Sequence, residues 1–135
     1  MDYSKISKLK AMTKESSGMG TFCGDLFACA NILKIAHLKA KGPGAYAQHV
    51  ALGDLYDAVS DMADDITESV QGYEGILNIS IPATSFMEPL AYIKGERTKM
   101  IAAKSKFTSM PDIANKIDEL IGHFSKTIYK LENLA

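Results

Sequence analysis

Only two of the 135 residues are cysteine, and neither charge sign is in strong excess. Cys23 and Cys29 are six apart on a predicted helix, about 120° from each other around its axis. They point to different sides and are not expected to bridge, so the chain lacks a disulfide framework and a reducing, cytoplasmic setting is expected. Fifteen Lys and Arg against sixteen Asp and Glu leave a formal charge of −1. No global field therefore draws the chain toward nucleic acid or a membrane surface. No apolar stretch is expected to span a membrane, and Met1-Asp2-Tyr3-Ser4-Lys5 has no apolar core of a signal peptide. Also missing are a phosphate-binding glycine loop, zinc-type cysteine pairs and a nucleophile with its base. The expectation is a soluble protein with one domain over residues 1–135, long enough to bury a core.

Helical periodicity is what the sequence does contain. Residues 4–15 carry Lys5, Lys8, Lys10 and Lys14, with Ile6, Leu9 and Met12 at three-residue spacing. This predicts a basic helix or arm within residues 1–20, broken by Ser16-Ser17-Gly18. A long helix is predicted from about Thr21 to Lys41, apolar on more than one side through Phe22, Leu26, Phe27, Ile32, Leu33 and Ile35. Gly42-Pro43-Gly44 ends it. A second helix runs from about Ala45 to Gln71 and stops at Gly72, with Gly75 just beyond. Residues 73–86 lose the helical period and read as a long crossover.

A third helix, about Met87 to Phe107, offers Leu90, Tyr92, Ile93, Met100 and Ile101 to the core, with Pro89 in its first turn. Ser109-Met110-Pro111-Asp112 reads as the start of the fourth: a capping serine, an early proline and a first-turn acid. Ile113, Ile117, Leu120, Ile121, Phe124, Ile128 and Leu131 then follow the helical period. The expected fold is all-α, a ferritin-like four-helix bundle with a long crossover between helices two and three. An up-down-up-down bundle would not need so long a connection there.

Four residues carry the chemistry. His37 and His49 flank the Gly-Pro-Gly turn, while Asp64 and Glu68 lie further along the second helix. Fifteen helical steps from His49 to Asp64 span about 22 Å, so these residues cannot share one ion within a single chain. Around the axis, Asp64 and Glu68 fall about 60° and 100° from His49, on one broad face. Two such helices packed antiparallel about a two-fold axis bring His49 of one copy to Asp64 and Glu68 of the other. The quartet then makes two symmetric sites at a dimer interface.

The run from His37 to His49 resembles the ferroxidase region of the Dps mini-ferritins. That family has two histidines twelve apart around a glycine-containing turn, then an Asp and a Glu fifteen and nineteen residues after the second histidine. Asp64 and Glu68 stand at those offsets. The stretch His49-Val50-Ala51-Leu52-Gly53-Asp54-Leu55-Tyr56-Asp57 and the ending Tyr129-Lys130-Leu131 are similar to short Dps-like proteins encoded by tailed bacteriophages. The resemblance implies a metal site between subunits, twelve subunits in a hollow shell, and iron as the metal. It also implies a protein free in a bacterial or phage-infected cytoplasm, or associated with a virion. Two positions depart from the family. Gly53 stands where mini-ferritins place an aspartate ligand, and Leu38 replaces a tryptophan.

Two imidazoles and two carboxylates suit Fe, Zn or Mn, since no ligand is a soft thiolate. The competing reading is an inherited interface in which His37 and His49 only hydrogen-bond Asp64 and Glu68 across the dimer. Asp57 and Asp61 are candidate substitutes for the missing ligand, while Tyr56 and Gly53 read as two-fold packing contacts. His123 reads as a surface or pore contact. Lys5, Lys8, Lys10 and Lys14 are candidates for contacts to DNA phosphates, with a solvated helix as the alternative.

Overall fold

The structure, a computed structural model, describes residues 3–85 and 87–134, with side chains from residue 18 onward. The side chains of Lys5, Lys8, Lys10 and Lys14 thus lie outside the described residues. The fold is all-helical, with no strand among the described residues. Its helices are α1 (Tyr3–Lys39), α2 (Ala45–Glu74), α3 (Pro89–Ala103) and α4 (Pro111–Asn133), and a 3-10 turn, Lys104–Phe107, follows α3.

Several boundaries differ from the sequence expectation. Instead of breaking at Ser16-Ser17-Gly18, α1 is one element through that stretch, because small residues weaken a helix without forbidding it. The second helix passes Gly72 and ends at Gly75, whose φ of 80° takes the chain out of the helical region. Glu88 starts α3, its carboxylate accepting from the N–H groups of Leu90 and Ala91 at 3.1 and 2.7 Å. No such cap exists on α4. Its N-cap is Met110, with no side-chain cap bond, and Ser109 does not serve. Pro111 in the first turn, which lacks an N–H to satisfy, makes that tolerable.

Named pairs fix the direction of each helix. Tyr73 Oη donates to Asp112 at 2.7 Å, Lys116 Nζ meets Asp65 at 2.9 Å, and Lys130 lies 3.9 Å from Asp54. Rising numbers on α4 meet falling numbers on α2, so the two are antiparallel. The same holds against α3 and the turn that follows it, where Lys94 meets Glu132 at 3.1 Å and Lys104 meets Asp118 at 2.7 Å. Each of these surface ion pairs contributes less than about 1 kcal/mol, so they record register more than they stabilise. The turn at Gly42-Pro43-Gly44, with φ of 87° at Gly42 and 75° at Gly44, folds α2 back along α1.

The connection from Gly75 to Glu88 contains neither helix nor strand among its described residues, as its lost periodicity predicts. It is seated on α1 through two glycines one turn apart. A Cβ at Gly20 would collide with the carbonyl of Asn78, and one at Gly24 with the carbonyl of Ser80. Leu77 is buried, and its N–H donates to Gln71 Oε1 at 3.1 Å. Pro82 to Ser85 then pass Asp25, Ala28 and Ile32, and Pro89 reaches the neighbourhood of Ala36 and Lys39. The connection therefore runs along α1 to its far end before α3 begins. From there α3 returns antiparallel to α1, until Phe107 packs on Phe22 with ring centroids 5.2 Å apart. Helices α1 and α4 point one way, α2 and α3 the other.

Leu33, Leu52, Val59, Ile93, Ile117 and Phe124 are among the fully buried side chains. The period read on the fourth helix holds: Ile113, Ile117, Leu120, Phe124 and Ile128 are buried, with Ile121 and Leu131 half-buried. Two core candidates are on the surface, Ile35 and Ile101. The sequence expectation of no span-length apolar stretch also needs correction. Gly18–Lys39 has the length and composition to cross a membrane, but 56% of its most apolar stretch is buried inside the fold. Its apolarity follows from lying between α2 and the crossover. Cys23 and Cys29 are free thiols, both buried.

Candidate metal centre

The end of α1 and the start of α2 bring His37 and His49 into contact. Their rings stack with centroids 3.7 Å apart and planes 18° from parallel. His37 Nδ1 lies 2.6 Å from the carbonyl oxygen of residue 49, and His49 Nδ1 lies 2.8 Å from the carbonyl oxygen of residue 37. A carbonyl can only accept, so both Nδ1 atoms carry the hydrogen. In the neutral ring the proton-free nitrogen is then Nε2, the arrangement found where a histidine holds a metal and its other nitrogen donates to a carbonyl.

The stack also limits what the pair can bind. An ion about 2 Å from one ring nitrogen and in that ring's plane lies well out of the plane of the other. While stacked, the two histidines cannot chelate one ion between them. Each offers its lone pair separately.

Gly53, one turn beyond His49, lies under the ring of His37. A Cβ there would stand 2.8 Å from Cε1 and 2.9 Å from Nδ1 of His37. Around the pair is an open hollow of about 370 Å³ whose lining includes Lys34, Gly53, Tyr56 and Asp57. Lys34 Nζ is 5.8 Å from the centre of the Tyr56 ring, a weak cation–π contact at an exposed rim. Of the two proposed substitute ligands, Asp57 lines the hollow and Asp61 does not. Asp54, rotated away from the pair, also borders it and lies near Lys130.

Asp64 and Glu68 are exposed on the far half of α2. The fold brings the two histidines together but does not bring these carboxylates to them. Among the described residues, no group of three or more His, Cys, Asp and Glu side chains is placed to hold a metal ion. The outward stripe of α2 has two halves. Tyr46 and Val50 are exposed near the histidines, with Leu38 of α1 bordering the same hollow as Val50. Asp57, Asp61, Asp64 and Glu68 are exposed further along. His123 is half-buried on α4, and its carbonyl accepts from Thr127 Oγ1 at 2.9 Å.

A second polar cluster escaped the sequence reading. Glu96 on α3 is only 8% exposed and pairs with Lys99 at 3.2 Å. Burial raises its carboxyl above the usual range against the pull of Lys99, and Asp25 raises it further. Burial also pushes the Cys29 thiol up to about 12, despite a hydrogen bond with Tyr92. Tyr92 is raised as well, first by burial and then by Cys29. Asp25, Tyr92, Glu96 and Lys99 border a cavity of about 220 Å³ under residues 82–85. The available signal was positional: Glu96 lies one turn from Tyr92 and from Met100, both read as core candidates.

A family model described as a family of unknown function (DUF5856) matches residues 37–131. No curated protein and no solved structure matches the chain.

Proposed function

The chain belongs to the DUF5856 family, whose function is unknown, and we propose that it is a Dps-like iron-binding protein with a metal site shared between two copies. In this reading the four helices and the long crossover form a ferritin-like bundle, and two-fold dimers assemble into a dodecameric shell that oxidises or sequesters Fe(II). Iron is cargo and substrate, with Zn or Mn as alternative occupants.

The observation that carries the reading is the reciprocal Nδ1–H to carbonyl bonding of His37 and His49. It spends the one nitrogen of each ring that does not ligate and leaves the other open. The donor chemistry fits a first-row divalent ion: imidazole nitrogen from one copy, with Asp64 and Glu68 carboxylates from a second. Both carboxylates are exposed on the α2 stripe that also carries exposed Tyr46 and Val50. Antiparallel pairing of two stripes would lay the acidic half of one copy against the histidine end of the other. Bound Fe(II) would supply one electron per ion, so that two ions would reduce one peroxide and four one oxygen molecule to water. The chain's part is to place nitrogen and carboxylate donors and to favour the higher charge.

A second reading is a ferritin-like structural or DNA-associating assembly protein whose site binds metal weakly and does not turn over. The filling of the space above Gly53 by the His37 ring favours it, since no ligating side chain can stand at that position. Aerobic Fe(II) oxidation separates the two. The ferroxidase reading predicts oxidation faster than buffer, lost in His49→Ala. Equal rates for wild type, His49→Ala and buffer leave the assembly reading.

A further inference from the structure

Gly53 sits inside α2, and its φ is not positive. Nothing in its own backbone therefore asks for glycine, and glycine is a poor residue for a helix interior. What does ask for it is the imidazole of His37. A Cβ at position 53 would stand 2.8 Å from Cε1, 2.9 Å from Nδ1 and 3.7 Å from Nε2 of that ring. Real side chains do not approach so closely. The ring ends a rotatable side chain while α2 is a rigid element, so the ring would yield.

We infer that Gly53 is a positioning residue. Its missing side chain seats the His37 ring on α2, one turn from His49, where the two rings stack and cap each other's carbonyls. The position that looks like a lost carboxylate ligand is the space that makes the histidine pair. If the ring moves off, three things go together: the 3.7 Å stack, the bond from His37 Nδ1 to the carbonyl of residue 49, and the tautomer which that bond enforces. The consequence for metal affinity rests on the metal-site reading above. The placement of the ring does not.

The test uses the full chain without metal and then with Zn(II). Long-range ¹H–¹⁵N spectra of the imidazoles at neutral pH should show both wild-type rings as the Nδ1–H tautomer. In Gly53→Ala, His37 should lose that signature and the mutual ring-current shifts should collapse. Helicity should hold, and the thermal midpoint should fall slightly at most, since the helical gain from alanine offsets most of the lost stack and hydrogen bond. Zn(II) affinity, read by competition with a chelating dye, should fall about 10–100-fold, as when an outer partner of a ligand is removed. In a His37→Asn background the same alanine should change affinity by less than about twofold, because the paired effect is already gone. Wild-type tautomers and shifts retained in Gly53→Ala would overturn the inference. If the wild-type chain binds no Zn(II) or Fe(II), the metal reading fails while the spectra still decide the role of Gly53.

Discussion

His37 and His49 each donate a ring N–H to the main-chain carbonyl of the other, at 2.6 and 2.8 Å, across a turn of glycine and proline. The contact joins α1 to α2 as well as orienting two donor nitrogens, so its loss has a structural and a chemical effect. His49→Ala removes one hydrogen bond and the stack. It should destabilise the chain by about 1–2 kcal/mol, measured by urea unfolding, and, on the shared-site proposal, abolish tight divalent-ion binding. A variant as stable as wild type would show that the contact is incidental.

The seat of the crossover gives a sharper stability prediction. Gly24→Ala drives a methyl into the carbonyl of Ser80, and backbone, unlike a side-chain tip, cannot step aside. It should cost about 1–3 kcal/mol or more, as overpacking does. Gly122→Ala on α4 meets open space and should stabilise by up to about 1 kcal/mol. Equal effects in chemical denaturation would mean that the crossover is not seated as described.

Glu96 sets a pH dependence of unusual sign. Its folded carboxyl lies above the ordinary value, with burial as the main cause. The folded chain therefore holds this proton more readily than the unfolded one. The stability linked to the proton is full below the unfolded value and is lost as pH rises through the raised folded one. Glu96→Gln should thus gain stability relative to wild type between acid and neutral pH, despite losing the Lys99 pair. Urea midpoints at pH 4 and pH 7 check it, and a larger relative gain at pH 4 contradicts it.

The two thiols should be silent in the native chain. Cys23 and Cys29 are both 0% exposed, and Cys29 is pushed up to about 12 by burial. A thiol-reactive dye should label neither at neutral pH and both after denaturation. Rapid native labelling would place at least one of them at the surface.

Much of this was legible in the residues, for identifiable reasons. The α4 period was clean because every apolar residue on its inner face packs in one core. The length of the crossover announced that α2 and α3 run in the same direction. Helix ends were less legible: Gly72 and Ser109 have the chemistry of a stop and a cap, but neighbouring residues set the boundaries. Ile35 and Ile101 show the limit of periodicity, since an apolar residue at the edge of a stripe can face outward. At the site, spacing brought His37 to His49 and separated both from Asp64 and Glu68 within the chain. It gave no sign that Gly53 holds a ring, because a glycine's role here lies in the atoms packed against it.

The central claim is that histidines of one copy and carboxylates of another make one site, and subunit mixing tests it directly. One variant carries His37→Ala with His49→Ala, the other Asp64→Ala with Glu68→Ala, and neither should bind Zn(II) or Fe(II) tightly alone. After unfolding and refolding together, half of any two-fold dimers are hybrids with one intact site of two. Binding should return to about a quarter of the wild-type sites. No recovery on mixing, with both variants folded, would contradict the shared site.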